Sequence, residues 1–247
     1  MIRALVATGA VLWAAQAGAV TCEEVTYEDK RYTVCEVDAA NEELRLFLND
    51  ENGDLLGHFS SVNEALEPQG KRLAFAMNAG MYHDDRSPVG HYVEDGQEQM
   101  RVISNPGPGN FGLLPNGVFC VREGRADVFE TLDYVDQAPE CQFATQSGPM
   151  LVIDGELHPR FLPDSTSLFV RNGAGTSVDG TRAVFAISED YVTFHEFGRL
   201  FRDVLATPNA LFFDGNISRM YERASNRSDI GFSLGPIVGV VEDAPAN

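Results

Sequence analysis

The stretch Ala183–Asp214, AVFAISEDYVTFHEFGRLFRDVLATPNALFFD, decides the fold. Its two apolar runs, Ala183 to Ile187 and Ala210 to Phe213, have the length of buried strands, and a helical pattern separates them. Thr193 and Glu196 form a T-x-x-E capping box, in which the hydroxyl and the carboxylate satisfy the first free N–H groups of a helix. Phe194, Phe197, Leu200, Phe201, Val204 and Leu205 then recur at i, i+3 and i+4. One face of a helix over 194–205 is therefore expected to pack on a sheet, with Pro208 following its end. A strand–helix–strand crossover makes the two strands parallel.

Elsewhere the pattern is of hairpins. Val25 to Tyr27 and Tyr32 to Val34 read as arms around a Glu28-Asp29 turn, with strands over 24–28, 31–38 and 43–49. Ser61 to Leu66 reads as a short helix ended by Pro68 and Gly70. Strands near 72–77, 88–94 and 99–103 precede a loop, Asn105 to Gly112, too rich in Pro and Gly for regular structure. Val118 to Val121 turns at Glu123-Gly124 toward Ala126 to Phe129, and Met150 to Ile153 turns at Asp154-Gly155 toward Leu157. Hairpins around one crossover predict an α+β class: a single domain with a mixed, mainly antiparallel twisted sheet flanked by a few helices.

The N-terminus reads as a leader. Arg3, the apolar stretch Ala4 to Ala15 and the small residues Ala17-Gly18-Ala19 predict a signal peptide over 1–19, leaving one domain over 20–247. The apolar run is shorter than the ~20 residues of a membrane helix, so no stable membrane anchor is expected after leader removal. A periplasmic or secreted location follows. Cys22, Cys35, Cys120 and Cys141 all lie beyond the leader, and an even number fits disulfides in an oxidising compartment. The hairpin register sets Cys22 opposite Cys35, which leaves Cys120 with Cys141. The absence of C-x-x-C spacing argues against a zinc ribbon and against a disulfide exchanger.

With 18 basic and 37 acidic residues the formal net charge is −19. Nucleic acid and anionic membrane surfaces are therefore excluded as partners of the molecule as a whole, and an anionic substrate needs a local basic patch working against the overall field.

Three polar clusters stand beside the apolar runs: Asn78-Ala79-Gly80, Arg171-Asn172-Gly173-Ala174-Gly175 and Asp214-Gly215-Asn216-Ile217-Ser218. Gly permits close approach of a ligand to the backbone. An amide, a guanidinium and a carboxylate brought together suit an oxygen-rich anion. With Ser147-Gly148-Pro149-Met150-Leu151 as a fourth motif, their order and spacing resemble those of the phosphodiester glycosidases. The likeness runs from roughly Leu73 to Gly239. Phe143 to Phe161 and Val184 to Tyr221 read closest to that family's secreted bacterial branch.

The resemblance implies cleavage of the bond between an anomeric carbon and a phosphodiester oxygen, in a small-molecule or glycan substrate. It implies catalytic roles for Asp214, facing the sugar, and Arg171, gathering phosphate charge through its planar fork. It implies substrate contacts for Asn78, Gly80, Ser147, Gly148, Asn172, Gly215, Asn216 and Ser218; many relatives carry Gly where this chain has Asn216. No cofactor is expected, and no metal: His83, beside Asp84 and Asp85, has no second ligand motif. The competing reading is a non-catalytic periplasmic module of the same fold that binds glycan or cell wall.

Overall fold

A computed structural model describes residues 20–215 and 217–245; the expected leader over 1–19 and Asn216 lie outside the described residues. Strands β1 (Thr21–Tyr27), β2 (Lys30–Asp38) and β3 (Glu43–Phe47) precede helix α1 (Phe59–Leu66). Then come β4 (Lys71–Asn78), β5 (Tyr92–Glu94), β6 (Gln97–Met100), β7 (Gly117–Arg122), β8 (Arg125–Glu130) and helix α2 (Thr131–Gln137). β9 (Phe143–Ser147), β10 (Met150–Ile153), β11 (Glu156–Leu157), β12 (Asn172–Thr176) and β13 (Arg182–Ser188) lead to helix α3 (Phe194–Arg199). β14 (Asn209–Phe212), β15 (Met220–Glu222), β16 (Arg227–Ser228) and β17 (Ile237–Asp243) follow.

These strands form three sheets, ordered β1-β2-β13-β12-β14-β10-β11, β16-β15-β4-β17-β3 and β6-β5-β9-β7-β8. The α+β class holds, with three short helices beside mainly antiparallel strands, but the strands divide among three sheets instead of one. The crossover also differs in detail. β13 and β14 both pair antiparallel with β12, so they run the same way, yet β12 lies between them and they share no ladder. The helical connection spans one strand position, which lets every described pairing around it be antiparallel.

The sheets meet on a shared aromatic core. The Phe185 ring of β13 lies 5.2 Å from Phe75 of β4 and 5.7 Å from Phe119 of β7, so each sheet contributes one ring. Burying a side chain of this size is worth about 1.5–3 kcal/mol, and each ring excludes water from a junction between sheets. The first hairpin turns at Glu28 and Asp29, with φ of 47° and 60°. Its register sets Cys22 opposite Cys35, and the Cys22–Cys35 and Cys120–Cys141 disulfides are formed as expected.

Helix α3 carries the expected capping box, with the Thr193 hydroxyl accepting from Glu196 N–H and the Glu196 carboxylate accepting from Thr193 N–H. It is α-helical only to Arg199; Leu200–Val204 is a wider π turn, in which Leu205 N–H reaches back to Leu200 C=O. The wider turn rotates Val204 off the apolar face, leaving it 42 % exposed, while Phe197, Leu200, Phe201 and Leu205 stay packed.

Candidate active site

The expected clusters converge where the three sheets abut. Asn78 ends β4, Asn172 begins β12, Ser147 ends β9, and Asp214 lies just past β14. Asn78 and Asn172 are both fully buried, and their amides bond each other. Asn78 Nδ2 donates to the Asp214 carbonyl at 3.3 Å, and Asn172 Oδ1 accepts the Asp214 N–H at 3.2 Å. Ser218 Oγ donates to the same Asp214 carbonyl at 2.9 Å, and Ser147 Oγ donates to the preceding Phe213 carbonyl at 2.6 Å. Four side chains from four separate segments thus grip the main chain on both sides of Asp214. Asp214 itself is only half-buried.

This geometry corrects several expected roles. Asn78, Asn172 and Ser147 are buried and occupied by internal hydrogen bonds, which position the main chain around Asp214. Packing explains the glycines. A Cβ at Gly80 would stand 2.8 Å from Thr145 Oγ1, one at Gly148 would stand 2.6 Å from Asn116 Cβ, and one at Gly215 would stand 3.0 Å from Val170 C=O. Within β12 itself, a Cβ at Gly173 would come 2.4 Å from Leu211 C=O and one at Gly175 would come 2.5 Å from Thr207 Oγ1. Those two serve close approach of β14 and its neighbouring loop, not of a ligand.

Arg171 also departs from expectation. Successive residues of a strand point to opposite faces; Asn172 turns to Asn78, and Arg171 turns to the α3 face. Its guanidinium lies 3.6 Å above the Phe194 ring, with Phe169 and Phe212 at 5.5 and 5.6 Å. Nε donates to Val192 C=O and Nη2 to Ser167 C=O, which closes the Nε–Nη2 fork that a phosphate would use. Burial pulls the guanidinium down to about 10, still charged at neutral pH. Arg171 ties the loop before β12 to the start of α3.

The sequence alone gives no role to Tyr82 and Arg219 near the Asp214 cluster, or to Arg86 beside Tyr82. Tyr82 donates its hydroxyl to Ser233 C=O at 3.2 Å, and the Arg86 guanidinium stands 5.0 Å over the Tyr82 ring. Arg219 donates its main-chain N–H to Asn78 Oδ1 at 2.9 Å and Nη2 to Phe232 C=O. Burial raises the Tyr82 hydroxyl above its ordinary range; Arg86 and Arg219 act to lower it and Asp214 acts to raise it. That balance places both arginines and the Asp214 carboxylate within electrostatic reach of one hydroxyl. The available signal was adjacency: Tyr82 follows the Asn78 motif by two residues, and Arg219 directly follows Ser218.

Fold, motif order and a clamped aspartate define a phosphodiester glycosidase type of domain. The family model described as phosphodiester glycosidase matches residues 71–240, and the chain belongs to that family. It is 33 % identical over 205 residues to the uncharacterized protein YigE of Escherichia coli K12, covering 82 % of this chain and 80 % of that one. Among solved structures, the catalytic domain of zebrafish N-acetylglucosamine-1-phosphodiester alpha-N-acetylglucosaminidase, auto-inhibited by its pro-peptide, superposes with a TM-score of 0.63. That match has 11 % identity and covers 92 % of this chain and 85 % of the other. A hypothetical protein from Synechocystis matches with a TM-score of 0.58 and 12 % identity, covering 90 % of this chain and 61 % of that one.

Proposed function

We propose that this protein hydrolyses the glycosidic bond of a sugar-1-phosphodiester, releasing free sugar and a phosphomonoester, in the periplasm or outside the cell. Family membership supports the reaction class, and the zebrafish relative is named for a sugar-1-phosphodiester. Two disulfides fit an oxidising compartment. The observation that carries the reading is the grip on Asp214, whose main chain is held from both sides while the residue itself stays half-buried. Such preorganisation is what an active-site carboxylate needs, because a group already in place reorganises little as charge develops.

In this reading the bond from the anomeric carbon to the phosphodiester oxygen breaks, and its electron pair leaves with the phosphate. Water supplies a hydroxyl to the anomeric carbon and loses a proton. Asp214 faces the sugar, where it stabilises the oxocarbenium-like carbon or takes that proton. A phosphomonoester is a stable anion, so its departure asks for charge stabilisation more than for a strong general acid.

The test is turnover of a synthetic sugar-1-phosphodiester, followed by phosphorus NMR for the phosphomonoester and by reducing-sugar release. Turnover that vanishes in Asp214→Asn supports the reading. Saturable binding of a panel of such substrates without any turnover would make the protein a binding module.

A further inference from the structure

We propose that Arg219 and Arg86, both beside Tyr82, receive the anionic oxygens of the substrate's phosphodiester or of a free phosphate. This deepens the glycosidase reading by naming its anion-binding wall, and it rests on that reading only for the identity of the anion.

The starting point is how the chain uses its arginines. Most are neutralised: Arg31, Arg45, Arg72, Arg122, Arg125, Arg182, Arg199, Arg202, Arg223 and Arg227 each form an ion pair with a carboxylate. Among the described residues Arg86, Arg101, Arg160, Arg171 and Arg219 form none. Arg101 and Arg160 are exposed, where water solvates the charge. Arg171 is stacked on Phe194 and bonded to two carbonyls. Arg86 and Arg219 remain: the Arg86 guanidinium lies over the Tyr82 ring, and Tyr82 and Arg219 donate to the adjacent carbonyls of Ser233 and Phe232.

Arg219 is 7 % exposed, a position in which a cation is costly unless an anion or good acceptors meet it. Among the described residues its guanidinium makes one hydrogen bond, from Nη2 to Phe232 C=O. Among the described residues the enclosed side-chain nitrogens without an acceptor are Arg86 Nε, Arg122 Nε and His158 Nε2, and the other Arg219 nitrogens are not among them.

The surroundings hold Arg219 in place without a direct ion pair among the described residues. A Cβ at Gly231 would stand 3.0 Å from Arg219 Cζ, and one at Gly235 would stand 2.6 Å from Tyr82 Cδ1. The segment carrying both glycines therefore lies flat against the guanidinium and the phenol. Its Phe232 side chain is 85 % exposed, so main chain and not apolar packing meets Arg219 here.

Arg86 adds a second, independent sign. It sits at φ 73°, in the left-handed region that a long side chain rarely adopts, at the tip of a hairpin closed by the Tyr82–Pro88 bridge. Its Nε is enclosed without an acceptor while Nη1 donates to Asp84 C=O at 2.8 Å. With Nε enclosed and Nη1 bonded among the described residues, Nη2 is the Arg86 donor left for an outside acceptor. Two guanidinium groups beside one phenol give charge, donors and directionality for a tetrahedral oxyanion.

The test measures calorimetric binding of inorganic phosphate to the full mature chain, together with phosphate inhibition of turnover on the synthetic phosphodiester. Arg219→Lys and Arg86→Gln should each weaken phosphate at least about tenfold, the scale of one charge-assisted hydrogen bond, with folding checked by thermal melting. Arg219→Gln should weaken it further; if that variant fails to fold because Phe232 is released, the other two carry the test. Arg101→Gln, which removes an equal but exposed charge, should leave phosphate binding and turnover unchanged. Phosphate affinity equal to wild type in both Arg219→Lys and Arg86→Gln, or no phosphate binding by the wild type, overturns the proposal. Loss of phosphate binding only in Arg171→Gln overturns it too. Binding that follows these arginines without any turnover would sink the glycosidase reading and leave the anion site standing.

Discussion

The Asn172 side chain donates to two oxygens of Asn78 at once, the carboxamide oxygen at 2.9 Å and the main-chain carbonyl at 3.0 Å. The two asparagines belong to different sheets, so this exchange couples the sheet of β4 to the sheet of β12 directly beneath Asp214. Buried amides hold this junction because each amide offers both donors and acceptors.

Asn172→Asp keeps the shape and removes the donors, setting a carboxylate against two Asn78 oxygens in a buried site. Loss of such a pair should cost about 2–4 kcal/mol, read as a lower urea midpoint with an unchanged slope. Combining it with Asn78→Ala should give strong non-additivity in a double-mutant cycle. A midpoint within experimental error of wild type would mean the amide pair is not what joins the sheets.

Asp214→Asn leaves the gripping hydrogen bonds untouched, because Asn78, Asn172 and Ser218 hold its main chain. The main-chain grip should therefore survive, while kcat falls about 10²–10³-fold with little change in KM. Parallel loss of stability and activity would place Asp214 in the scaffold.

Much of this fold was legible because period and punctuation are local. The capping box Thr193–Glu196, the Glu28-Asp29 turn and the Cys22–Cys35 register all depend on neighbours within a few residues or on one hairpin. The division into three sheets was not legible, since it depends on which strands β12 and β17 choose as neighbours far along the chain. Helix α2 was missed for a related reason: its cap is Glu130, whose carboxylate accepts from Leu132 and Asp133 N–H, an unusual residue for that position. At the site, the motifs converge as their order suggested, but residue type alone could not say which face each side chain takes. Arg171 and Asn172 are adjacent, and the strand sends one to Phe194 and the other to Asn78. Arg219 escaped notice because its role depends on having no carboxylate in direct ion-pair contact among the described residues, a property of the folded chain.

Arg171→Lys tests the reassignment of that residue. An ammonium keeps the charge but cannot stack a plane on Phe194 while donating to both Val192 and Ser167 carbonyls. The expected outcome is a stability loss of about 1–2 kcal/mol, the scale of a desolvated cation–π contact, with phosphate inhibition as in wild type. A phosphate inhibition constant raised tenfold in a variant of unchanged stability would return Arg171 to the anion site.

Glu94 gives a pH signature away from the Asp214 cluster. It lines a cavity of about 600 Å³ together with Arg45, Phe47, Gln99 and Phe143, none of which belongs to the Asp214 cluster. Burial pushes its carboxyl from 4.5 up to about 7, with Asp95 raising it further, against hydrogen bonds from Tyr92 and Gln99 that favour the charged form. The folded state thus holds a proton on Glu94 that the unfolded state releases at lower pH. Stability from this group is fully present below pH 4.5 and is lost as pH rises from there through about 7. Glu94→Gln is neutral at every pH and can still accept from the Tyr92 hydroxyl. The melting temperature of the variant should therefore match wild type near pH 5 and exceed it at pH 8, because only the wild type must bury a charge there. The difference between variant and wild type isolates Glu94 from His91 and His158, whose pKa values burial lowers and whose contribution has the opposite sign, fading as the solution turns acid. A difference that stays flat between pH 5 and 8 would show that Glu94 is solvated and titrates as an ordinary surface carboxylate.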